Sequence, residues 1–164
     1  MKIYDYIKSS TWGVLESDIP PDEKVKKIIF TFSVVCAATA IQPIPFADIF
    51  ILTPMQAYMG TLIARVRGYN FTMQQIYKEI IGVMALGFLA QQTAIGLYKF
   101  IPFWGVVTTI PLVFILTYTI GSVMNYYFES KTAGKKVTKE DLKNFFNQAK
   151  KDAQKKYSKA EIKK

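Results

Sequence analysis

The chain of 164 residues contains no histidine and one cysteine. Histidine is the commonest general base and, with cysteine, the usual ligand of zinc, so its absence excludes the familiar catalytic triads and most transition-metal sites. Cys36 has no partner for a disulfide within the chain, and its valine and alanine neighbours favour a small buried side chain. We expect no catalytic residues, no metal site and no cofactor.

Charge is also scarce in the middle of the chain. Residues 28–128 carry six charged side chains in 101 positions, whereas about a quarter of the residues in a soluble domain are charged. An acid–base pair cannot be assembled from such isolated carboxylates, so the chain is not expected to be an enzyme. The composition predicts a block of apolar helices in or on a membrane. The alternative is a soluble helical bundle that is covered by oligomerisation or by a partner.

Four apolar runs fill this block, at residues 28–41, 49–64, 80–98 and 103–127. Turns that contain proline separate the first run from the second and the third from the fourth, whereas a charged connection, residues 65–79, lies between the second and the third. This alternation predicts an all-α fold with two helical hairpins in tandem. The residues assigned to the hairpin turns are Pro43, Pro45, Phe46, Asp48, Pro102, Phe103 and Trp104.

An internal repeat supports the two hairpins. When the sequence is shifted by 57 positions, the Ile-Pro-Phe sequence of residues 44–46 aligns with that of residues 101–103, and Pro54 aligns with Pro111. We therefore divide the chain into an N-terminal amphipathic arm (1–21), a first hairpin (22–71), a second hairpin (72–128) and a basic tail helix (129–164). A helix start lies where the arm meets the first hairpin. Pro21 and two acidic residues follow a capping residue such as Ser17 there.

The lengths of the runs bear on whether they cross a membrane. A span needs about 20 residues, so the first hairpin is marginal and the second is long enough. Basic residues lie at the open ends of both hairpins and in the tail, where residues 131–164 contain 12 lysines and four acids. By the positive-inside rule, both termini are expected on the cytoplasmic side of the inner membrane.

The basic tail and the central connection are the expected contact surfaces. Thr138 and Asp141 form a capping pattern, and the helix that follows has an apolar face and a lysine-covered face. Such a helix can lie on an anionic membrane or dock on an acidic protein partner. Nucleic acid is a less expected binding partner. The candidate contact residues are Arg65, Arg67, Lys135, Lys136, Lys143, Phe145, Phe146, Lys150 and Lys151.

Two polar features inside the apolar block have alternative interpretations. Asp48 precedes the second run and is expected to cap its helix, although an ion site or a proton relay is the alternative. Gln91 and Gln92 lie midway along the third run, where contact between helices is the expected role and a pore lining is the alternative.

The sequence resembles the domain of unknown function family 697, the YcjF-like domain. The resemblance covers roughly residues 25–128. It lies in the Pro-Ile-Pro-Phe-Ala-Asp turn of residues 43–48, the Thr-Pro-Met-Gln segment of residues 53–56, the Ile-Pro-Phe-Trp-Gly turn of residues 101–105 and the Thr-Tyr-Thr-Ile-Gly segment of residues 117–121. It implies an all-helical, membrane-associated module that works with a P-loop GTPase, here on a separate chain.

These observations favour a non-catalytic membrane module that anchors or recruits a cytoplasmic partner, which the resemblance implies to be a P-loop GTPase. One alternative is a subunit of an oligomeric channel or pore, which the helix-breaking prolines and the pair Gln91 and Gln92 favour. The other is an accessory subunit of a larger membrane complex. In each case the expected partners are membrane lipids and another protein, in a homo-oligomer or hetero-oligomer.

Overall fold

The computed structural model describes residues 2–39, 47–81 and 104–161, and within these ranges the chain is helical and contains no strand. The prediction of an all-α fold is confirmed. The elements are α1 (Lys2–Glu16), α2 (Pro21–Thr39), α3 (Ala47–Val66), α4 (Met73–Ile76), which continues into a π-helical segment (Tyr77–Ile81), α5 (Trp104–Thr132) and α6 (Lys139–Glu161).

The start of α2 follows the predicted pattern, with one difference. The helix begins at Pro21 with two acidic residues in its first turn, as expected. Ser17, however, donates its hydroxyl to the carbonyl of Val14, 2.6 Å away, so it closes α1. Lys24 Nζ donates to the carbonyl of Leu15 at 2.9 Å, which satisfies another free carbonyl at the end of α1 and ties the two helices together.

Glycines with positive φ end α3 and α5 in the same way. Gly68 has φ 85° and Gly134 has φ 69°, a conformation that only glycine adopts without strain. After α3, the N–H of Tyr69 donates to the carbonyl of Ala64 at 2.8 Å, which is the long hydrogen bond of a Schellman motif. This turn brings the Tyr69 ring against α5, where its centroid lies 5.6 Å from that of Phe128.

Helix α5 lies at the centre of the fold and packs against α2, α3 and α6. The pairing of residues gives the helix directions. Gln56 of α3 and Arg67, the residue after α3, bond to Thr117 and Glu129 of α5, so α3 and α5 are parallel. Asp22, at the start of α2, bonds to Arg67 at the end of α3, so α2 is antiparallel to both.

The basic tail helix folds back along α5. Phe145 stacks on Tyr126 with ring centroids 4.3 Å apart, and Tyr157 contacts Phe114 at 5.4 Å. Helix α6 is therefore antiparallel to α5 and parallel to α2. Leu142, Ala149 and Ala153 are buried in this contact, so the tail is part of the packed fold.

Several sequence predictions concern parts of the chain outside the described residues. Pro43, Pro45, Phe46, Pro102 and Phe103 lie there, as do Gln91, Gln92 and most of the third apolar run. The tandem hairpins therefore stay a prediction. Pro54 and Pro111, which the repeat aligns, both lie inside described helices.

Two boundaries differ from those predicted. Asp48 and Trp104 lie in the first turns of α3 and α5. Because α3 begins at Ala47, Asp48 is inside the helix and is not the cap residue before Ile49. The connection predicted at residues 65–79 is partly helical, since Thr72 and Gln75 form a capping box that starts α4.

Among the described residues, one helix is long and apolar enough to cross a membrane, at Thr109–Thr132 within α5. The buried central helix of a soluble protein has the same length and composition. In the most apolar stretch of Thr109–Thr132, 61% of the residues are buried by the rest of the fold.

A polar group lies buried where α2, α3 and α5 meet. Gln56 and Thr117 are fully buried, and Gln56 Nε2 donates to Thr117 Oγ1 at 3.2 Å. Cys36 is also fully buried, as its apolar neighbours in the sequence predicted.

We expect the Cys36 thiol to react with a thiol reagent only when the fold opens. For a stability of at least about 5 kcal/mol, the native chain should react about a thousandfold or more slowly than the unfolded chain. The measurement is the rate of labelling by a chromogenic disulfide with and without denaturant. Equal rates would show that Cys36 is not buried between α2 and the helices packed against it.

Candidate membrane and partner surfaces

Arg67 joins three helices at one end of the bundle. Its Nη2 donates to Asp22 Oδ1 at 2.8 Å and to Glu129 Oε1 at 2.6 Å, and its Nε donates to Asn125 Oδ1 at 2.9 Å. The Arg67 side chain is 13% exposed. A planar guanidinium suits several oxygen partners at once. Arg67 therefore fixes the start of α2 and the ends of α3 and α5 in register.

Lys131 lies among aromatic rings at the same end. Its Nζ is 4.8 Å from the centroid of Phe71, 5.6 Å from that of Tyr127 and 5.7 Å from that of Tyr69. It also lies 3.7 Å from Glu79 Oε2, which accepts a hydrogen bond from the Tyr127 hydroxyl at 2.6 Å. The cation and the aromatic rings attract each other, so these contacts hold the connection after α3 against the end of α5.

We call this region the charged end of the bundle, defined by Asp22, Arg67, Glu79, Glu129 and Lys131. The sequence analysis assigned Arg67 to partner contacts. In the structure its guanidinium bonds to Asp22, Glu129 and Asn125, and the partner contact stays a prediction. Arg65 is exposed. Sequence reasoning missed Lys131 and Glu79 as a pair, because the turn at Gly68 that brings the aromatic residues to them cannot be read from spacing.

The predicted apolar face of α6 is occupied within the chain. Phe145 stacks on Tyr126, and Phe146 packs against the core. Both side chains are half-buried by these contacts, and their predicted contact with a membrane or a partner stays a prediction. The predicted lysines are on the surface, namely Lys135, Lys136, Lys143, Lys150 and Lys151. Helix α6 offers charge to a partner and no free apolar face.

The predicted cap of α6 is confirmed. Asp141 Oδ2 accepts from the Thr138 hydroxyl at 2.7 Å and from the Thr138 N–H at 2.9 Å, while the Asp141 N–H donates to Thr138 Oγ1. These hydrogen bonds lower the pKa of the Asp141 carboxyl below its ordinary value. The cap therefore stabilises α6 fully at pH values above the ordinary pKa of an aspartate. This stabilisation is lost as the pH falls through the lowered pKa of Asp141.

The opposite end of the bundle exposes apolar side chains. Val34 of α2 is 45% exposed, Ile51 of α3 is 36% exposed and Leu112 of α5 is 37% exposed. The helix directions place these three residues at the same end, together with the exposed Ala38. We call them the apolar end. The undescribed residues 40–46 and 101–103 adjoin this end in the sequence.

The position of Lys156 limits how deep this end can enter a membrane. Its Nζ lies 5.5 Å from the centroid of the Tyr118 ring, near the middle of the apolar helix Thr109–Thr132. An ammonium group is costly in hydrocarbon. From Trp104 to Tyr118, α5 extends roughly 21 Å at 1.5 Å per residue, which is shorter than a hydrocarbon core of about 30 Å. In this conformation α5 can enter a bilayer only in part.

Comparison of the chain with protein-family models, with curated proteins and with solved structures gives no match. The class that the fold defines is a helical bundle with a charged end, an apolar end and a basic helix along its central helix.

Proposed function

We propose that the chain is a non-catalytic, membrane-associated helical module. Its apolar end enters the lipid, while the charged end and the α6 lysines nearest to it, such as Lys143, remain on the cytoplasmic side. The observation that carries this proposal is the separation of the two ends. Val34, Ile51 and Leu112 are exposed at one end, and the ion pairs of Arg67 lie at the other.

The apolar end has the features of a surface that lipid covers. Three different helices each expose an apolar side chain at this end, whereas single exposed apolar residues need no partner. Full burial of a large apolar side chain contributes about 1.5–3 kcal/mol, and each of these partly exposed side chains would contribute a corresponding fraction of that. Lysines near the level of Tyr118, including Lys156, would then reach anionic headgroups, where each contributes about 1 kcal/mol.

The proposed partner at the cytoplasmic side is another protein, which the module anchors or recruits. The resemblance to the YcjF-like domain suggests a P-loop GTPase on a separate chain. The available surface for it is the exposed basic face of α6 together with Arg65, which favours an acidic partner surface. The apolar residues of α6 are already used against α5.

Binding to vesicles tests the proposal. The full chain is mixed with vesicles of phosphatidylcholine alone, and bound protein is measured by flotation. We expect binding, and we expect the double variant Ile51→Ser with Leu112→Ser to lose at least about tenfold in affinity, since two partly exposed side chains are removed.

Met73→Ser is the matched control, because Met73 is 42% exposed in α4 and outside the apolar end. It should bind like the unaltered chain, and circular dichroism should show all variants folded. No binding of the unaltered chain, or equal loss in the control, would contradict insertion through the apolar end.

A further inference from the structure

A groove lies on the side of the bundle between α1, α2, α5 and α6. Its volume is about 340 Å³, and it opens widely to solvent. Lys26 and Lys27 of α2 and Lys156 of α6 line it, and Phe30 and Tyr118 provide apolar surface between them. We call it the lysine groove.

The three ammonium groups of the lysine groove attract an anion. Among the described residues, none of Lys26, Lys27 and Lys156 forms an ion pair with a carboxylate. Lys156 Nζ lies 5.5 Å from the centroid of the Tyr118 ring, and both residues line the groove. Three like charges around one space repel each other, and a bound anion would relieve that repulsion.

The groove also continues into an apolar track. Phe30, which is 45% exposed, lies one helical turn before Val34, which is also 45% exposed, and Ala38 is exposed one turn further along α2. Residues four apart share one face of a helix. This face leads from the lysines to the apolar end. A ligand that fits both parts has an anionic head and a long apolar chain.

We propose that the lysine groove binds the phosphate headgroup of an anionic phospholipid, with its acyl chains along Phe30 and Val34. The inference deepens the proposed function, on which it rests. In the proposed orientation the groove lies at the headgroup level and the apolar track enters the hydrocarbon. A soluble phosphate would meet the lysines but would leave the exposed Phe30 and Val34 in water.

The first test compares two triple variants of the full chain that remove equal charge. One replaces Lys26, Lys27 and Lys156 with glutamine, and the other replaces three exposed α6 lysines, Lys143, Lys150 and Lys151. Affinity is measured for phosphatidylcholine vesicles with and without phosphatidylglycerol. We expect the groove variant to lose at least about tenfold more affinity for the anionic vesicles than the α6 variant does.

Binding to pure phosphatidylcholine should be the same for both variants and for the unaltered chain. Equal losses on anionic vesicles would overturn the proposal and indicate a diffuse attraction of charges. That result would leave the proposed function standing if binding to phosphatidylcholine persists. No binding of the unaltered chain to phosphatidylcholine would contradict the proposed function itself.

Titration with inorganic phosphate distinguishes the source of the anion. We expect no saturable binding of phosphate at concentrations at which the groove is saturated by anionic lipid. The variant Phe30→Ser should weaken binding to anionic vesicles while the lysines are intact, because it shortens the apolar track. Tight binding of free phosphate, unaffected by Phe30→Ser, would show that the groove takes a soluble anion.

Discussion

Phe128→Ala is expected to lower the free energy of unfolding by about 3–5 kcal/mol, the usual cost of deleting a fully buried phenylalanine. Phe128 is completely buried. Its ring lies 5.1 Å from that of Phe71 and 5.6 Å from that of Tyr69, the two residues that bring the connection after α3 back to α5. The substitution would leave a cavity under this connection and loosen the aromatic contacts around Lys131.

Urea unfolding followed by circular dichroism measures this effect. The matched control is Phe30→Ala, since Phe30 is 45% exposed and its edge-to-face contact with Phe114, at 5.9 Å, accounts for about 1 kcal/mol. A loss of similar size in both variants would contradict the packing described for the charged end.

Gly121→Val is expected to destabilise the bundle by about 3 kcal/mol, because three helices meet at this glycine. A Cβ atom placed there would lie 2.8 Å from Cγ1 of Ile29 in α2 and 3.1 Å from Cε of Met59 in α3. Both distances are shorter than normal van der Waals contacts. Valine would therefore push α2 and α3 away from α5, and the loss would come from overpacking.

Gly13→Val provides the control, since a Cβ atom at Gly13, in the last turn of α1, meets nothing within 4 Å. Valine forms helices better than glycine, so this variant should be as stable as the unaltered chain or slightly more stable. Thermal unfolding of the two variants side by side gives the comparison. If Gly121→Val unfolds at the same temperature as Gly13→Val, the close approach of α2 to α5 is wrong.

The sequence predicted those parts of the fold that local chemistry determines. Three features depend on residues close together in the sequence, and the structure has each as expected. They are the start of α2 at Pro21, the Thr138–Asp141 cap of α6 and the burial of Cys36. The all-helical class follows from the long apolar runs for the same reason.

The surfaces could be predicted only in part, because they depend on how distant segments pack. Arg67 looks like a loop cation in the sequence, but its partners Asp22 and Glu129 are 45 and 62 residues away. Phe145 and Phe146 form an apolar stripe that fits a membrane as well as it fits α5. The stripe alone does not determine which of these covers it.

The lysine groove shows the same limit most clearly. Lys26 and Lys156 come together because α2 and α6 are parallel neighbours on α5, and no local pattern relates them. Their assignment to one site depends on the helix order. The sequence shows that α6 carries many lysines. It does not show that Lys156 lines the groove while Lys143, Lys150 and Lys151 lie on the open surface.

The central claim is that the apolar end enters lipid while the charged end stays in water. Its most direct test attaches an environment-sensitive fluorophore to a single cysteine at Leu112→Cys or at Met73→Cys, each in a Cys36→Ala background. Both positions are exposed, at 37% and 42%. We predict that on phosphatidylcholine vesicles the fluorophore at residue 112 shifts to the blue and is quenched by labelled acyl chains, while the one at residue 73 reports water. Fluorophores that both report water, or both report lipid, would contradict the account.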